Sequence, residues 1–116
     1  MGDVTIYHNP RCSKSRQTLA LLGERGISPD IVRYLDTPPD AATIGRLLDM
    51  LGLEPRDLMR RKEAPYSELG LADDNVSRAD LIQAMVDNPI LIERPIVVSG
   101  GKAAIGRPPE SVLGIL

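Results

Sequence analysis

The chain has 116 residues and a formal net charge of −2, with 42% hydrophobic and 26% charged residues. This is the balance of a soluble globular protein, and the length fits a single domain, residues 1–116, because ordinary domains hold roughly 100–150 residues. A mildly acidic chain with no Trp, no Phe and three Tyr offers neither a basic field nor stacking surfaces, which excludes nucleic acid as the expected partner.

The apolar runs "LALL" and "PILI" fall well short of the ~20 residues of a membrane span, and "MGDVTIYHNP" lacks the basic start and apolar core of a secretory signal. A lone cysteine cannot form an internal disulfide, so the thiol is expected in a reducing compartment, the cytoplasm, without a membrane partner.

In chain order, "DVTIYH" alternates apolar and polar positions and predicts a strand over 4–7, broken by Asn9-Pro10. From Ser13 the pattern turns helical, with Leu19, Ala20, Leu21 and Leu22 as its apolar side and Gly26 where a helix commonly ends. "DIVRYL" reads as a second strand, and two strands joined by a helix make a parallel βαβ unit. After "DTPPD", Ile44, Leu47, Leu48 and Leu51 recur at i, i+3, i+4 and i+7, and Gly52 closes that helix.

"EPRDLMRRK" predicts a shorter helix with proline near its first turn and cations at its end. "SRAD", residues 77–80, is a capping-box-like start for a helix through Met85 and Val86, stopped by Asn88-Pro89. "PIVVSGGKAAI" has the pattern of a tight antiparallel hairpin, and "RPPESVLGIL" that of a proline-started terminal helix. The order β-α-β, a helical insertion over about 40–88, then β-β-α predicts a thioredoxin-like α/β fold with a four-stranded mixed sheet.

The stretch "YHNPRCSKSR" holds the only cysteine and the only histidine, Cys12 and His8, at the end of the first strand. A thiol in front of a helix meets unpaired backbone N–H groups and the positive end of the helix dipole, a setting that favours the thiolate. The same N–H groups can hold an anion, with Arg11, Lys14, Arg16 and two hydroxyls nearby. Arginine supplies eleven of the fourteen positive charges, a bias suited to bidentate recognition of an oxyanion. Ser15 stands where a Cys-x-x-Cys motif would place its second thiol, which excludes an intramolecular dithiol mechanism.

"YHNPRCSKSR", the later "RPIVV" and "GRPP", and an arginine at the end of the third predicted helix resemble the glutaredoxin-coupled arsenate reductases along essentially the whole chain, most closely their short chromosomal members. The resemblance implies that Cys12 attacks arsenate and that Arg60, Arg94 and Arg107 surround the oxyanion. It also implies that His8 is the family's histidine near the nucleophile and that Pro95 is the cis proline before the third strand. The residues alone admit plainer roles. Arg60 adjoins Arg61 and Lys62 in a cation cluster suited to a helix C-terminus, and Arg94 and Arg107 each precede proline, which fixes extended backbone.

Reducing arsenate takes two electrons, which thiols deliver by joining two sulfurs, and this chain has one cysteine. The second sulfur must come from another molecule. The resemblance implies glutathione as co-substrate and glutaredoxin as the partner that resolves the mixed disulfide, with no tightly bound cofactor and no metal. The alternative is a non-catalytic thioredoxin-like redox sensor or partner-binding protein, modified by glutathione at Cys12.

Overall fold

The computed structural model describes residues 4–116, and Met1, Gly2 and Asp3 lie outside the described residues. The strands and helices are β1 (Val4–Tyr7), α1 (Ser13–Glu24), β2 (Asp30–Val32), α2 (Ala41–Leu51), α3 (Ala64–Glu68), α4 (Arg78–Asp87), β3 (Ile96–Ser99) and β4 (Lys102–Ile105). Short 3₁₀ segments follow at Pro55–Leu58, Pro89–Leu91 and Pro109–Ile115. Backbone contacts divide the chain into two compact units, one made of the residues up to Thr37 together with Arg94–Leu116, the other Pro38–Glu93.

The first unit carries a four-stranded mixed sheet in the order β2-β1-β3-β4, the thioredoxin-like arrangement the sequence predicts. β1 pairs in parallel with β2, Ile6 opposite Ile31, and antiparallel with β3, Tyr7 opposite Ile96. β3 then pairs antiparallel with β4, Ile96 opposite Ile105. Alternation along β1 sends Val4 and Ile6 into a core with Leu22, Val97 and Val112, as the period of two in a strand requires. Gly100-Gly101 joins Ser99 to Lys102. A positive φ of 62° at Gly100 and none at Gly101 is the pattern of a type II′ hairpin turn.

The second unit is helical. Asp40 caps α2 by accepting a 2.8 Å hydrogen bond from the Thr43 N–H, and Gly52, at φ 68°, ends it. Ser77 caps α4 in the same way through the Asp80 N–H at 3.1 Å. α2 packs on α4, and α4 on the turns at Pro55–Leu58 and Pro89–Leu91. Ile44, Leu47, Leu48, Leu81, Met85 and Leu91 are buried there.

Four readings are corrected. "EPRDLMRRK" forms only the 3₁₀ turn Pro55–Leu58, because the next backbone groups are drawn into non-local pairing. Met59 bridges to Ile92, the Arg60 N–H donates to the Leu91 carbonyl at 2.7 Å, and the Glu93 N–H donates to the Leu58 carbonyl at 2.8 Å. Arg60 therefore follows an extended bridge and ends no helix. α3 is an additional helix, begun by Pro65 in its first turn. The strand in "DIVRYL" stops at Val32, where the chain turns through the Asp36 N–H to the Arg33 carbonyl, 2.9 Å. The terminal helix is of the 3₁₀ type.

Candidate active site

Cys12 is the N-cap residue of α1, with extended backbone at φ −95° and ψ 123°, the conformation an N-cap requires. The turn before it is closed by the Cys12 N–H on the Asn9 carbonyl at 3.0 Å and by the Arg11 N–H on Asn9 Oδ1 at 3.0 Å. Arg16 clamps the same turn from inside the helix, Nη1 donating to the Pro10 carbonyl at 2.9 Å. The sequence thus spends Asn9 and Arg16 on the shape of the loop that presents the thiol.

Cys12 as a residue is 8% exposed. Burial pushes the Cys12 thiol up, but opposing influences outweigh it and leave its pKa below that of an ordinary thiol. These are the Ser15 N–H, the Arg94 guanidinium, the Lys14 N–H and the Arg107 guanidinium. No side-chain hydrogen bond of capping geometry forms, so the two backbone N–H groups act on the sulfur as oriented dipoles at the helix N-terminus.

Arg94 and Arg107 come from the two ends of the β3–β4 hairpin. Arg107 Nη2 lies 3.5 Å from Cys12 Sγ across a sequence separation of 95 residues, and Arg107 Nε donates to the Arg94 carbonyl at 2.8 Å. The Gly106 N–H donates to the Pro95 carbonyl at 2.9 Å, tying the two arginine-bearing segments together. The Arg94–Pro95 bond is cis, as the resemblance implied, and Arg107–Pro108 is cis as well.

His8 is buried, and its Nδ1 meets the Ser15 hydroxyl at 2.6 Å. Burial, followed by the charges of Arg33 and Arg16, lowers its pKa, so at neutral pH the ring is uncharged. The Ser15 hydroxyl also accepts from the Asn9 N–H at 3.0 Å. One fully buried serine therefore joins the end of β1, the loop and the first turn of α1. Ser15 was expected among hydroxyls around an anion. Its hydroxyl instead faces the interior, because Ser15, Thr18 and Leu22 form the buried side of α1.

Arg60 belongs to the second unit. Its Nη1 pairs with Glu63 at 2.6 Å and its Nε with Glu93 at 3.8 Å. Of the five residues singled out from the sequence, the first unit unites Cys12, Arg94 and Arg107 directly and His8 through Ser15, while Arg60 stands with two carboxylates. Among the described residues no group of three or more His, Cys, Asp or Glu could hold a metal ion. No helix among the described residues is long and apolar enough to cross a membrane.

Sequence reasoning missed the bridging role of Ser15 and the packing role of Gly106. A Cβ on Gly106 would sit 2.5 Å from Thr18 Oγ1 and 2.8 Å from Pro95 Cγ. Only a residue without a side chain fits between α1 and the cis-proline segment. The glycine of "GRPP" was a signal for this close approach.

A chemically coherent unit results: a sulfur poised to be a thiolate, two guanidinium groups beside it, and helix N–H groups directed at the same point. It can attack an electrophile that is itself an anion. Residues 7–115 match the model of the ArsC family. An Escherichia coli (strain K12) protein called uncharacterized protein YfgD is 64% identical over 97% of this chain and 96% of its own length. An arsenate reductase of Neisseria meningitidis is 50% identical, covering 100% of both chains. The solved structure of an arsenate reductase from Vibrio cholerae matches with a TM-score of 0.96 at 55% identity, covering 98% of each chain.

Proposed function

The chain belongs to the ArsC family, and on that premise we propose that it reduces arsenate to arsenite through the Cys12 thiolate, with glutathione as the second thiol and glutaredoxin as its partner. The observation that carries this reading is the Cys12 sulfur 3.5 Å from Arg107 Nη2, at a site whose charges favour the thiolate.

Arsenate and thiolate are both anions, so their approach needs fixed positive charge at the point of reaction. Arg94, Arg107 and the first N–H groups of α1 supply it. The family resemblance adds Arg60 as a third arsenate-binding arginine. The Cys12 sulfur displaces one arsenate oxygen as water and forms a sulfur–arsenic bond. The glutathione thiol then attacks that sulfur. A disulfide forms, the sulfur–arsenic bond breaks, and its electron pair leaves with arsenic as trivalent arsenite. Glutaredoxin resolves the mixed disulfide and frees Cys12. The sequence needs no tightly bound cofactor, and its thiol chemistry belongs in the reducing cytoplasm.

Arsenite formation by the purified protein with glutathione, glutaredoxin, NADPH and glutathione reductase tests the reading. Turnover is expected, Cys12→Ser is expected to abolish it, and Arg94→Ala to lower it by about 10²–10³, the usual cost of removing one transition-state donor. Folded wild-type protein that makes no arsenite in this mixture refutes it.

A further inference from the structure

Two cavities flank the start of α1 in the first unit, and their charges differ in sign. The larger, about 400 Å³, lies along α1 and is lined by Lys14, Leu21, Glu24 and Glu110 among others, with one cation and two carboxylates. The smaller, about 240 Å³, is lined by His8, Pro10, Arg11, Arg33, Leu35 and Asp36, with two guanidinium groups, one carboxylate and an uncharged imidazole.

Glutathione carries two carboxylates and one ammonium. The larger cavity repeats that set of charges, whereas the smaller one inverts it, cation for anion. We infer that the Arg11–Arg33 cavity is the glutathione seat, with the two carboxylates on Arg11 and Arg33 and the ammonium directed to Asp36. The inference rests on glutathione being the second thiol.

Three further observations fit. Arg11 is covalently adjacent to Cys12, their Cα atoms about 3.8 Å apart, so the lining of the cavity ends one residue before the nucleophile. Asn9 and Arg16 hold this loop in place, bonding the Arg11 N–H and the Pro10 carbonyl, so the Arg11 side chain starts from a fixed backbone. Arg33 pairs with Asp36 at 3.4 Å with both side chains more than 60% exposed, 62% and 67%. An exposed pair of that kind is weak and gives way readily to a ligand carrying both charges. Leu35, 40% exposed in the same cavity wall, offers an apolar partner to the methylenes of the ligand.

Thiol–disulfide exchange without arsenate tests the seat. The Cys12 thiolate attacks one sulfur of glutathione disulfide, the mixed disulfide forms and one glutathione thiolate leaves, so Cys12 is oxidised as the released glutathione sulfur is reduced and no other oxidant is needed. The rate is compared with that for the neutral 2-hydroxyethyl disulfide in the wild type, Arg33→Ala, and Arg11→Ala with Arg33→Ala. The ratio of the glutathione rate to the neutral rate is expected to fall about threefold to tenfold in each variant, in the range of one or two exposed charge-assisted contacts. Added salt is expected to lower the ratio in the wild type and to change it little in the double variant. The neutral rate reports that the fold and Cys12 are intact. A ratio unchanged in the double variant, including the case in which both rates drop together, overturns the seat. Because no arsenate is present, wild-type protein that fails to make arsenite would sink the arsenate reading while this ratio still decides the seat.

Discussion

Replacing Gly106 with alanine tests whether the active-site geometry depends on one missing side chain. The added Cβ meets Thr18 Oγ1 at 2.5 Å, Pro95 Cγ at 2.8 Å and Thr18 Cγ2 at 3.1 Å, where ordinary carbon contacts begin near ~3.5 Å. Neither neighbour yields easily. Thr18 is fully buried, its hydroxyl donates to the Lys14 carbonyl at 2.8 Å, and its branched side chain has few rotamers in a helix. Pro95 is a ring fused to the backbone. Overpacking of this kind costs about 1–3 kcal/mol. Gly106 does not have a positive φ, so alanine also gains about 0.4–1 kcal/mol by restricting the unfolded chain. The net expectation is a loss of about 1–2 kcal/mol.

The displaced segment carries Arg107, so relief of the clash moves its guanidinium away from Cys12. In urea unfolding, Gly106→Ala is expected to lower the midpoint at unchanged slope, and in alkylation of Cys12 against pH its inflection is expected to rise toward that of an ordinary thiol. Combining it with Thr18→Ala, which removes the closest atom, is expected to restore part of the loss through a favourable coupling of about 1 kcal/mol. A Gly106→Ala protein within ~0.5 kcal/mol of wild type, with an unmoved Cys12 inflection, would refute the reasoning.

Arg107→Lys keeps the charge, but one ammonium cannot reproduce the fork that joins the Arg94 carbonyl to Cys12 Sγ. The Cys12 alkylation inflection is expected to rise with little change in stability, and an identical pH profile would count against the contact. Ser15→Ala strips the hydroxyl from His8 Nδ1 and the Asn9 N–H in a fully buried place, at an expected cost of about 1–3 kcal/mol in urea unfolding; a neutral result would show that the bridge is dispensable. Acid should weaken the fold through His8, whose folded pKa lies below its unfolded value. Below about pH 6.5 the unfolded chain binds a proton that the native ring resists, so stability falls by up to about 1.4 kcal/mol per pH unit until the folded pKa is passed. His8→Gln should remove that part of the slope between pH 7 and 5, and an unaltered slope would assign the acid response elsewhere.

The elements that local patterning specifies were legible. α2 shows why: Ile44, Leu47 and Leu48 recur at helical spacing and are buried, with Asp40 and Gly52 marking its two ends. β1 and the hairpin follow from alternation and from Gly100-Gly101. α1 was legible as a helix but not in its facing. Its leucines drew attention to residues 19–22, whereas two of its three buried residues are Ser15 and Thr18, small polar side chains that hydrophobic periodicity does not count. The stretch after Leu53 failed for another reason. Whether Arg60 ends a helix is decided by Leu91 and Ile92, some thirty residues on, through the Arg60 N–H and the Met59 bridge. No local signal carries that pairing. Cys12, His8, Arg94 and Arg107 were found as residue types in a known pattern, and the serine connecting two of the elements that hold them was not.

Sheet register explains how a thiol and a guanidinium 95 residues apart come within 3.5 Å of each other. Tyr7 lies opposite Ile96, and Ile96 opposite Ile105. The end of β1, the start of β3 and the end of β4 are therefore abreast on one edge of the sheet. Cys12 follows the first of these, Arg94 precedes the second and Arg107 follows the third, so the candidate site is the set of chain ends at that edge. Register in a hairpin is set by its turn, which makes Gly100-Gly101, at the opposite end of β3 and β4, a determinant of where Arg107 falls. A one-residue insertion between Gly100 and Gly101 would force either a bulge or a slip. A slip leaves β3 in register with β1 and turns the side chains of β4, among them Ala104, which packs against the core, toward the wrong face. A bulge spares the core but changes how the end of β4 presents Arg107. In the bulged case the protein should stay folded while the Cys12 inflection rises, separating stability from activation of the thiol. If the inserted protein keeps both its unfolding midpoint and the wild-type alkylation profile, register is not what brings Arg107 to the sulfur.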